Sequence, residues 1–131
     1  MGVWGTGAFE NDAAIEWSSD LAEADLTFVM DTLSSAQEVD DDELDVDLGC
    51  TAVAACEVIA RLQGRAVRTG AMDELIDEWV RSHPTRLTAD VVKLATNVLD
   101  RVSKESELAQ MWRGDVTWMS QVKELRRRVA G

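Results

Sequence analysis

Several residue types are scarce in this chain of 131 residues, and each scarcity excludes a class of site. There is no tyrosine, and there are one proline, one histidine and two cysteines. A single histidine cannot assemble the ligand set of a typical zinc site, and His83 has no neighbouring partner for nucleophilic catalysis. Because His83 precedes Pro84, we interpret it as the end of a helix, where it interacts with the helix dipole. We predict no catalytic residue, no metal site and no cofactor.

Lysine and arginine are absent from residues 1–60, which contain fifteen Asp and Glu residues. Residues 61–131 contain ten acidic and thirteen basic residues, and the formal net charge of the chain is −12. Because nucleic acids and anionic membranes are bound through basic patches, we expect neither kind of partner. Two interpretations of the asymmetry stay open: acidic helices pack beside basic ones within the domain, or the acidic half faces a basic protein partner.

Long apolar runs are also missing. No stretch approaches the ~18 apolar residues of a membrane span, and the N-terminus has neither the basic segment nor the apolar core of a secretion signal. Cys50 and Cys56 lie six residues apart on one predicted helix, a rotation of about 600°, so they face different directions and cannot pair with each other. Both are surrounded by small apolar residues, which favours buried free thiols. We therefore expect a cytoplasmic, reduced protein.

Helical periodicity runs through most of the chain, and no segment shows the alternation of a half-buried strand. Apolar spacing and capping residues predict helices over residues 12–23, 26–37, 47–63, 71–82, 89–103 and 106–113, with a last helix after Gly114-Asp115. The length suits a single domain, residues 1–131. We expect an all-α single compact domain of about six or seven helices, with an irregular Gly- and Trp-rich loop at the N-terminus.

The helix of residues 47–63 is apolar on nearly all sides, which predicts a central position. Gly64 is expected to end it. Glu57 is a carboxylate in the middle of this apolar sequence. Either it emerges at the surface, the interpretation that we favour, or it is paired with an arginine from the basic half or with backbone N–H groups of the N-terminal loop.

Residues 38–47 hold seven carboxylates in ten positions. A calcium-binding EF-hand loop needs glycine at its sixth position and glutamate at its twelfth. Counted from Asp40, those positions are Asp45 and Thr51, so the pattern fails. We interpret the stretch as an acidic linker in which Asp45 or Asp47 caps the next helix.

The opening stretch, Met-Gly-Val-Trp-Gly-Thr-Gly-Ala-Phe-Glu-Asn-Asp, has neither helical nor strand periodicity. Trp4 and Phe9 are expected to anchor it to the helical core, with Gly5 and Gly7 in backbone conformations that other residues resist. The other four tryptophans fit the inner faces of helices. They are Trp17, Trp79, Trp112 and Trp118.

A glycine-rich turn before a helix is also typical of anion-binding loops. Here the carboxylates of Asp12 and Glu16 would repel a phosphate, so we favour a structural lid. The stretch remains our candidate for a ligand site. The candidate residues are Trp4, Gly5, Thr6, Gly7, Asp12, Glu16 and Glu57.

The opening motif, from Met1 to Trp17, resembles the N-terminal signature of a bacterial family of uncharacterised proteins, domain-of-unknown-function family 4259. The similarity continues through the acidic linker and the alanine-rich helix with Glu57, and it covers almost the whole chain. Its later parts are residues 99–102, 106–108, 111–112, Trp118, Val122 and Leu125, whereas a polar stretch at residues 63–70 departs from the pattern. The resemblance implies a small, helical, stand-alone bacterial protein and no particular activity.

Our leading hypothesis is a non-enzymatic interaction protein, immunity-like or regulatory, whose acidic face binds a basic protein partner. The alternative is a small-ligand binder or enzyme that uses the N-terminal loop, with Asp12, Glu16 and Glu57 available for acid–base chemistry. A third possibility is homo-oligomerisation through an exposed apolar helix face, and we make no prediction of the oligomeric state.

Overall fold

The computed structural model describes residues 2–65, 67, 70 and 72–131, and of Asp41 the backbone only. Within these ranges the chain forms seven α-helices and a short 3-10 turn, and the only β-type pairing is one isolated bridge. The all-α prediction is confirmed. The helices are α1 (Asp12–Leu21), α2 (Leu26–Glu38), α3 (Val46–Leu62), α4 (Asp73–Ser82), α5 (Ala89–Glu105), α6 (Glu107–Met111) and α7 (Val116–Ala130), and the 3-10 turn is Asp41–Glu43.

Side-chain caps fix where most of these helices begin, because each cap accepts a backbone N–H that the first turn leaves without a partner. Of the two candidates for α3, the structure uses Asp45. The caps of the other helices are Asn11 for α1, Asp25 for α2, Thr88 for α5, Ser106 for α6 and Asp115 for α7. The end of α3 is followed by Gly64 with φ +78°, which confirms the predicted stop.

Helix α3 contacts each of the other six helices, which confirms its central position. Small side chains let those helices approach closely. At Gly49, a Cβ atom would lie 3.1 Å from the Cβ of Leu108, so glycine makes room for α6 at this crossing. Cys50 and Cys56 are buried free thiols, as predicted. Burial, with the charges of Asp47 and Asp45, raises the pKa of Cys50 to about 12, and burial raises the pKa of Cys56 further.

Three of the four tryptophans predicted on helices are buried, and two of them connect separate elements through their indole N–H groups. Trp17 stacks on Phe28, with ring centroids 5.3 Å apart, and donates to Thr32 Oγ1 at 2.8 Å. Trp79 donates to Ala24 O at 2.9 Å, which ties α4 to the end of the α1–α2 connection. Trp118 is also buried and Trp112 is half-buried, so the prediction of inward-facing tryptophans is confirmed, in part for Trp112.

His83 forms the C-terminal cap of α4. Its ring stacks on Trp79 at 4.3 Å, and its Nδ1–H donates to Trp79 O at 2.8 Å. The predicted place of His83 at a helix end is confirmed.

The acidic residues of the first half are mostly at the surface. Of those in residues 2–60 whose side chains the structure describes, twelve are exposed, and Glu57 alone forms an ion pair. Of these carboxylates, Glu57 alone is therefore neutralised by arginines of the second half of the chain, and the twelve exposed ones are not. In the described ranges, no helix is long and apolar enough to cross a membrane, and no three potential metal ligands are grouped together.

Candidate functional site

The N-terminal loop, residues 2–10, folds back on itself before α1. Trp4 N–H donates to Glu10 O at 3.1 Å, and Val3 forms an antiparallel bridge with Asn11. Phe9 is 1% exposed and anchors the loop as predicted, whereas Trp4 is 54% exposed, so the prediction that it anchors the loop is wrong. Val3 packs against the core, and neighbouring side chains of an extended segment point in opposite directions, which turns Trp4 outward.

The expectation for Gly5 and Gly7 is also wrong, since neither has a positive φ. They leave room for the Glu10 carboxylate instead. A Cβ atom would lie 2.6 Å from Glu10 Oε2 at Gly5 and 2.5 Å from Glu10 Oε1 at Gly7. The backbone N–H of Gly7 donates to Glu10 Oε1 at 2.9 Å. This N–H group of the glycine-rich turn, which could have bound an external anion, is therefore bonded to the Glu10 carboxylate.

Beside this loop lies a cleft with a volume of about 560 Å³. The loop forms one wall, α3 forms the floor, and α6 with α7 forms the opposite wall. The lining includes Gly5, Thr6, Gly7 and Glu10 from the loop, Cys50, Val53 and Glu57 from α3, Val67 from the segment after α3, Trp112 from the turn after α6, and Val116, Trp118, Ser120, Glu124 and Arg128 from α7.

Glu57 is 1% exposed, so the interpretation that places it at the surface is wrong. Its carboxylate accepts two hydrogen bonds from Arg128, Nη1 to Oε1 at 2.9 Å and Nη2 to Oε2 at 2.8 Å, and one from Arg61 Nε at 3.4 Å. The alternative of an arginine partner from the basic half is confirmed. Because α3 is surrounded by the other helices, the Glu57 carboxylate lies at the bottom of the cleft and not at the surface, and a buried carboxylate needs such hydrogen-bond partners.

Arg128, a residue of α7, connects that helix to α3 at the floor of the cleft. Besides Glu57, it donates from Nε to Glu124 Oε1 at 2.6 Å and from Nη1 to Arg65 O at 3.1 Å. Desolvation is the largest single influence on Arg128 and lowers its pKa, but the hydrogen bonds and charges of Glu57 and Glu124 outweigh it and raise the pKa above the usual value. The guanidinium therefore stays charged.

Arg61 connects the same floor to the loop and to α4. It donates from Nη2 to Asp73 Oδ1 at 2.6 Å and from Nη1 to Asp77 Oδ1 at 3.4 Å. Its guanidinium carbon lies 5.9 Å from the centroid of the Phe9 ring, within the range of a cation–π contact. Through Arg128 and Arg61, the contacts around Glu57 thus join α3 to α7, to α4 and to the N-terminal loop.

The family model described as Domain of unknown function (DUF4259) matches residues 2–124. This chain belongs to that family. The matched segment includes the N-terminal loop, Glu57 and Glu124, and it ends before Arg128. None of the curated proteins and none of the solved structures matches the chain.

In this DUF4259 protein, four of the seven candidate ligand residues line the cleft, namely Gly5, Thr6, Gly7 and Glu57. The other three do not: Trp4 points to solvent, and Asp12 and Glu16 are exposed on α1. The three carboxylates proposed for acid–base chemistry are therefore not brought together.

Sequence reasoning did not single out Glu124 and Arg128 as parts of this site. A local signal exists, because the two residues are four apart on α7 and can pair along one helix face. A second signal is the need of a buried Glu57 for a cation. Neither signal indicates which of the three consecutive arginines, residues 126–128, turns inward.

Proposed function

We propose that this DUF4259 protein is a non-enzymatic interaction module, immunity-like or regulatory, that binds a basic protein partner through an acidic surface. The observation that carries the proposal is a set of twelve exposed carboxylates in residues 12–47, Asp41 left aside, that form no ion pair with the described part of the chain. We call this set the acidic surface. It consists of Asp12, Glu16, Asp20, Glu23, Asp25, Asp31, Glu38, Asp40, Asp42, Glu43, Asp45 and Asp47.

Two exposed arginines of the second half support this proposal because they pair with carboxylates of their own half. Arg126 bonds Asp100 at 2.6 Å, and Arg127 bonds Glu124 at 2.8 Å, so these arginines pair within their own half. Unpaired carboxylates of one sign repel each other and steer cations toward the surface that they cover. A basic partner would relieve that repulsion, and complementary charge would speed its association.

Location in the cytoplasm is part of the proposal. Cys50 and Cys56 are free thiols buried in the core, which suits a reducing compartment.

The test compares partner capture by two charge variants that change the net charge equally. One variant removes three carboxylates of the acidic surface on α1, with Asp12→Asn, Glu16→Gln and Asp20→Asn. The matched control removes three exposed carboxylates outside it, with Glu74→Gln, Glu78→Gln and Asp90→Asn. Bound proteins are quantified by mass spectrometry at about 50 mM and about 500 mM NaCl, since salt screens surface charge.

We expect a basic protein that is captured by the wild-type chain and the control, released by high salt, and lost from the α1 variant. Equal capture by the α1 variant and the control would contradict the proposal, as would capture that does not respond to salt.

The cleft favours a second candidate function, the binding of a small molecule. Its volume of about 560 Å³ lies within the usual range for small-ligand sites. Thermal unfolding with Ca²⁺, Mg²⁺, phosphate and a panel of nucleotides tests it, because a ligand at a hundred times its dissociation constant adds about 2.7 kcal/mol to the free energy of unfolding. An unchanged Tm across the panel would count against this function.

A further inference from the structure

We infer that the cleft is the docking site for a polypeptide segment of the basic partner, one that presents an apolar side chain next to a lysine or arginine. This inference rests on the proposed function and adds to it the place of contact and the chemistry of the segment that is recognised.

The first observation is where the large exposed apolar side chains lie. In the described ranges these are Trp4, Val67, Met111 and Val116, and Val116 is 78% exposed. Val67 and Val116 line the cleft, Trp4 is flanked by two lining residues, and Met111 directly precedes the lining residue Trp112. All four therefore lie at the rim of the cleft or next to it in sequence, and apolar exposure concentrated in this way is typical of interaction sites.

The second observation is the charge of the lining. Among the described residues that line the cleft, the ionisable side chains are three carboxylates, Glu10, Glu57 and Glu124, and one guanidinium, Arg128. Arg128 is already bonded to Glu57, Glu124 and Arg65 O, so it has little capacity left for an anionic ligand. Glu57 and Glu124 are paired in turn, Glu57 with Arg128 and Arg61 and Glu124 with Arg128 and Arg127. Glu10 is the lining carboxylate that forms no ion pair with the described part of the chain, so it favours a cation beside an apolar group, which matches the charge of the proposed partner.

The rim favours a polypeptide over a small molecule. Val116 lines the cleft and is still 78% exposed, so a small ligand enclosed by the walls would leave most of this side chain in water. Tryptophan is enriched among the residues that dominate protein–protein binding energy, and Trp4 is the large aromatic side chain that the loop presents to solvent. A segment of a folded partner can cover both the cleft and its rim.

A randomised peptide library displayed on phage, selected against the full chain, tests the inference. We expect enriched peptides that carry an apolar residue beside a lysine or arginine. The Ser120→Trp variant, which places an indole on the α7 wall, should weaken their binding by about tenfold or more. Ser35→Trp is the matched control, because Ser35 is also an exposed helical serine but lies on α2, away from the cleft, and it should bind as the wild type does.

A second variant tests the charge. Glu10→Gln leaves the bond between Glu57 and Arg128 in place and should weaken binding of the enriched peptides by about threefold or more at low salt. Glu78→Gln, at an exposed position on α4, is its control and should have no effect. Thermal unfolding of each variant verifies that it is folded.

Failure of a selection to enrich any peptide would overturn the inference, as would enrichment of acidic peptides or equal binding by Ser120→Trp and Ser35→Trp. The outcome is separable from that of the proposed function. If neutralising α1 abolishes partner capture while Ser120→Trp leaves it intact, the acidic surface is the interface and the cleft assignment is wrong. If neither change affects capture, both proposals fail.

Discussion

At the scale of single residues, the Glu57 carboxylate is shared between Arg128, at 2.8 and 2.9 Å, and Arg61, at 3.4 Å. Glu57→Gln would leave both guanidinium groups without this counter-ion in a buried site. Because removal of one partner from a buried ion pair is strongly destabilising, we expect the free energy of unfolding to fall by about 3–5 kcal/mol. Urea unfolding followed by circular dichroism measures the change.

The control for this prediction is the double variant Glu57→Met with Arg128→Met, which removes the pair together. The double variant should lose less stability than the sum of the losses measured for Glu57→Met alone and Arg128→Met alone. The reason is that no unpaired charge from this pair is left behind. Additive losses would contradict the assignment of Glu57 and Arg128 as one energetic unit.

The two thiols give a second prediction at this scale. Burial raises the pKa of Cys50 to about 12 and raises that of Cys56 further, so the reactive thiolate is scarce in the folded protein. At about pH 8, iodoacetamide should modify neither thiol of the folded chain at an appreciable rate and both after denaturation in urea. Mass spectrometry of the peptides counts the modified sites, and rapid labelling of Cys56 without urea would contradict its enclosed position.

At the scale of elements, the helices could be predicted because their signals are local. A capping side chain such as Asp25 or Thr88 bonds a backbone N–H two or three residues away, and the apolar stripes repeat within a few turns. The site could not be predicted to the same extent, because its contacts join distant parts of the chain. Glu57 and Arg128 are 71 residues apart, and although Arg61 lies one turn after Glu57, nothing near Glu57 in the sequence indicates that Arg128 also meets it.

At this scale we predict how substitutions in the N-terminal loop change the stability of the protein. Phe9 is buried beneath the Arg61 guanidinium, so Phe9→Ala should lower the free energy of unfolding by about 3–5 kcal/mol, as for other buried aromatic residues. Trp4→Ala, in the same loop but at an exposed position, should change it by less than about 0.5 kcal/mol. Urea unfolding compares the two, and a small effect of Phe9→Ala would mean that the loop is not anchored to the core.

At the scale of the whole molecule, the distribution of charge decides how salt acts on stability. The chain has a formal net charge of −12, and twelve exposed carboxylates of residues 12–47, which make up the acidic surface, form no ion pair with the described part of the chain. Repulsion within such a surface destabilises the folded state, and dissolved salt screens it. If the carboxylates were paired with arginines and lysines instead, screening would weaken attractive interactions and lower the stability.

We therefore expect the Tm to rise as the NaCl concentration is raised from about 20 to about 300 mM. For a domain of this size, each 1 kcal/mol gained corresponds to an increase in Tm of about 4 °C, so differential scanning calorimetry resolves the effect. The variant with Asp12→Asn, Glu16→Gln and Asp20→Asn should begin at a higher Tm and respond less to salt, while the control with Glu74→Gln, Glu78→Gln and Asp90→Asn should respond more nearly as the wild type does. A Tm that falls with salt would mean that attraction between charges outweighs repulsion in the folded chain. That result would count against the proposal that the acidic surface binds a basic protein partner.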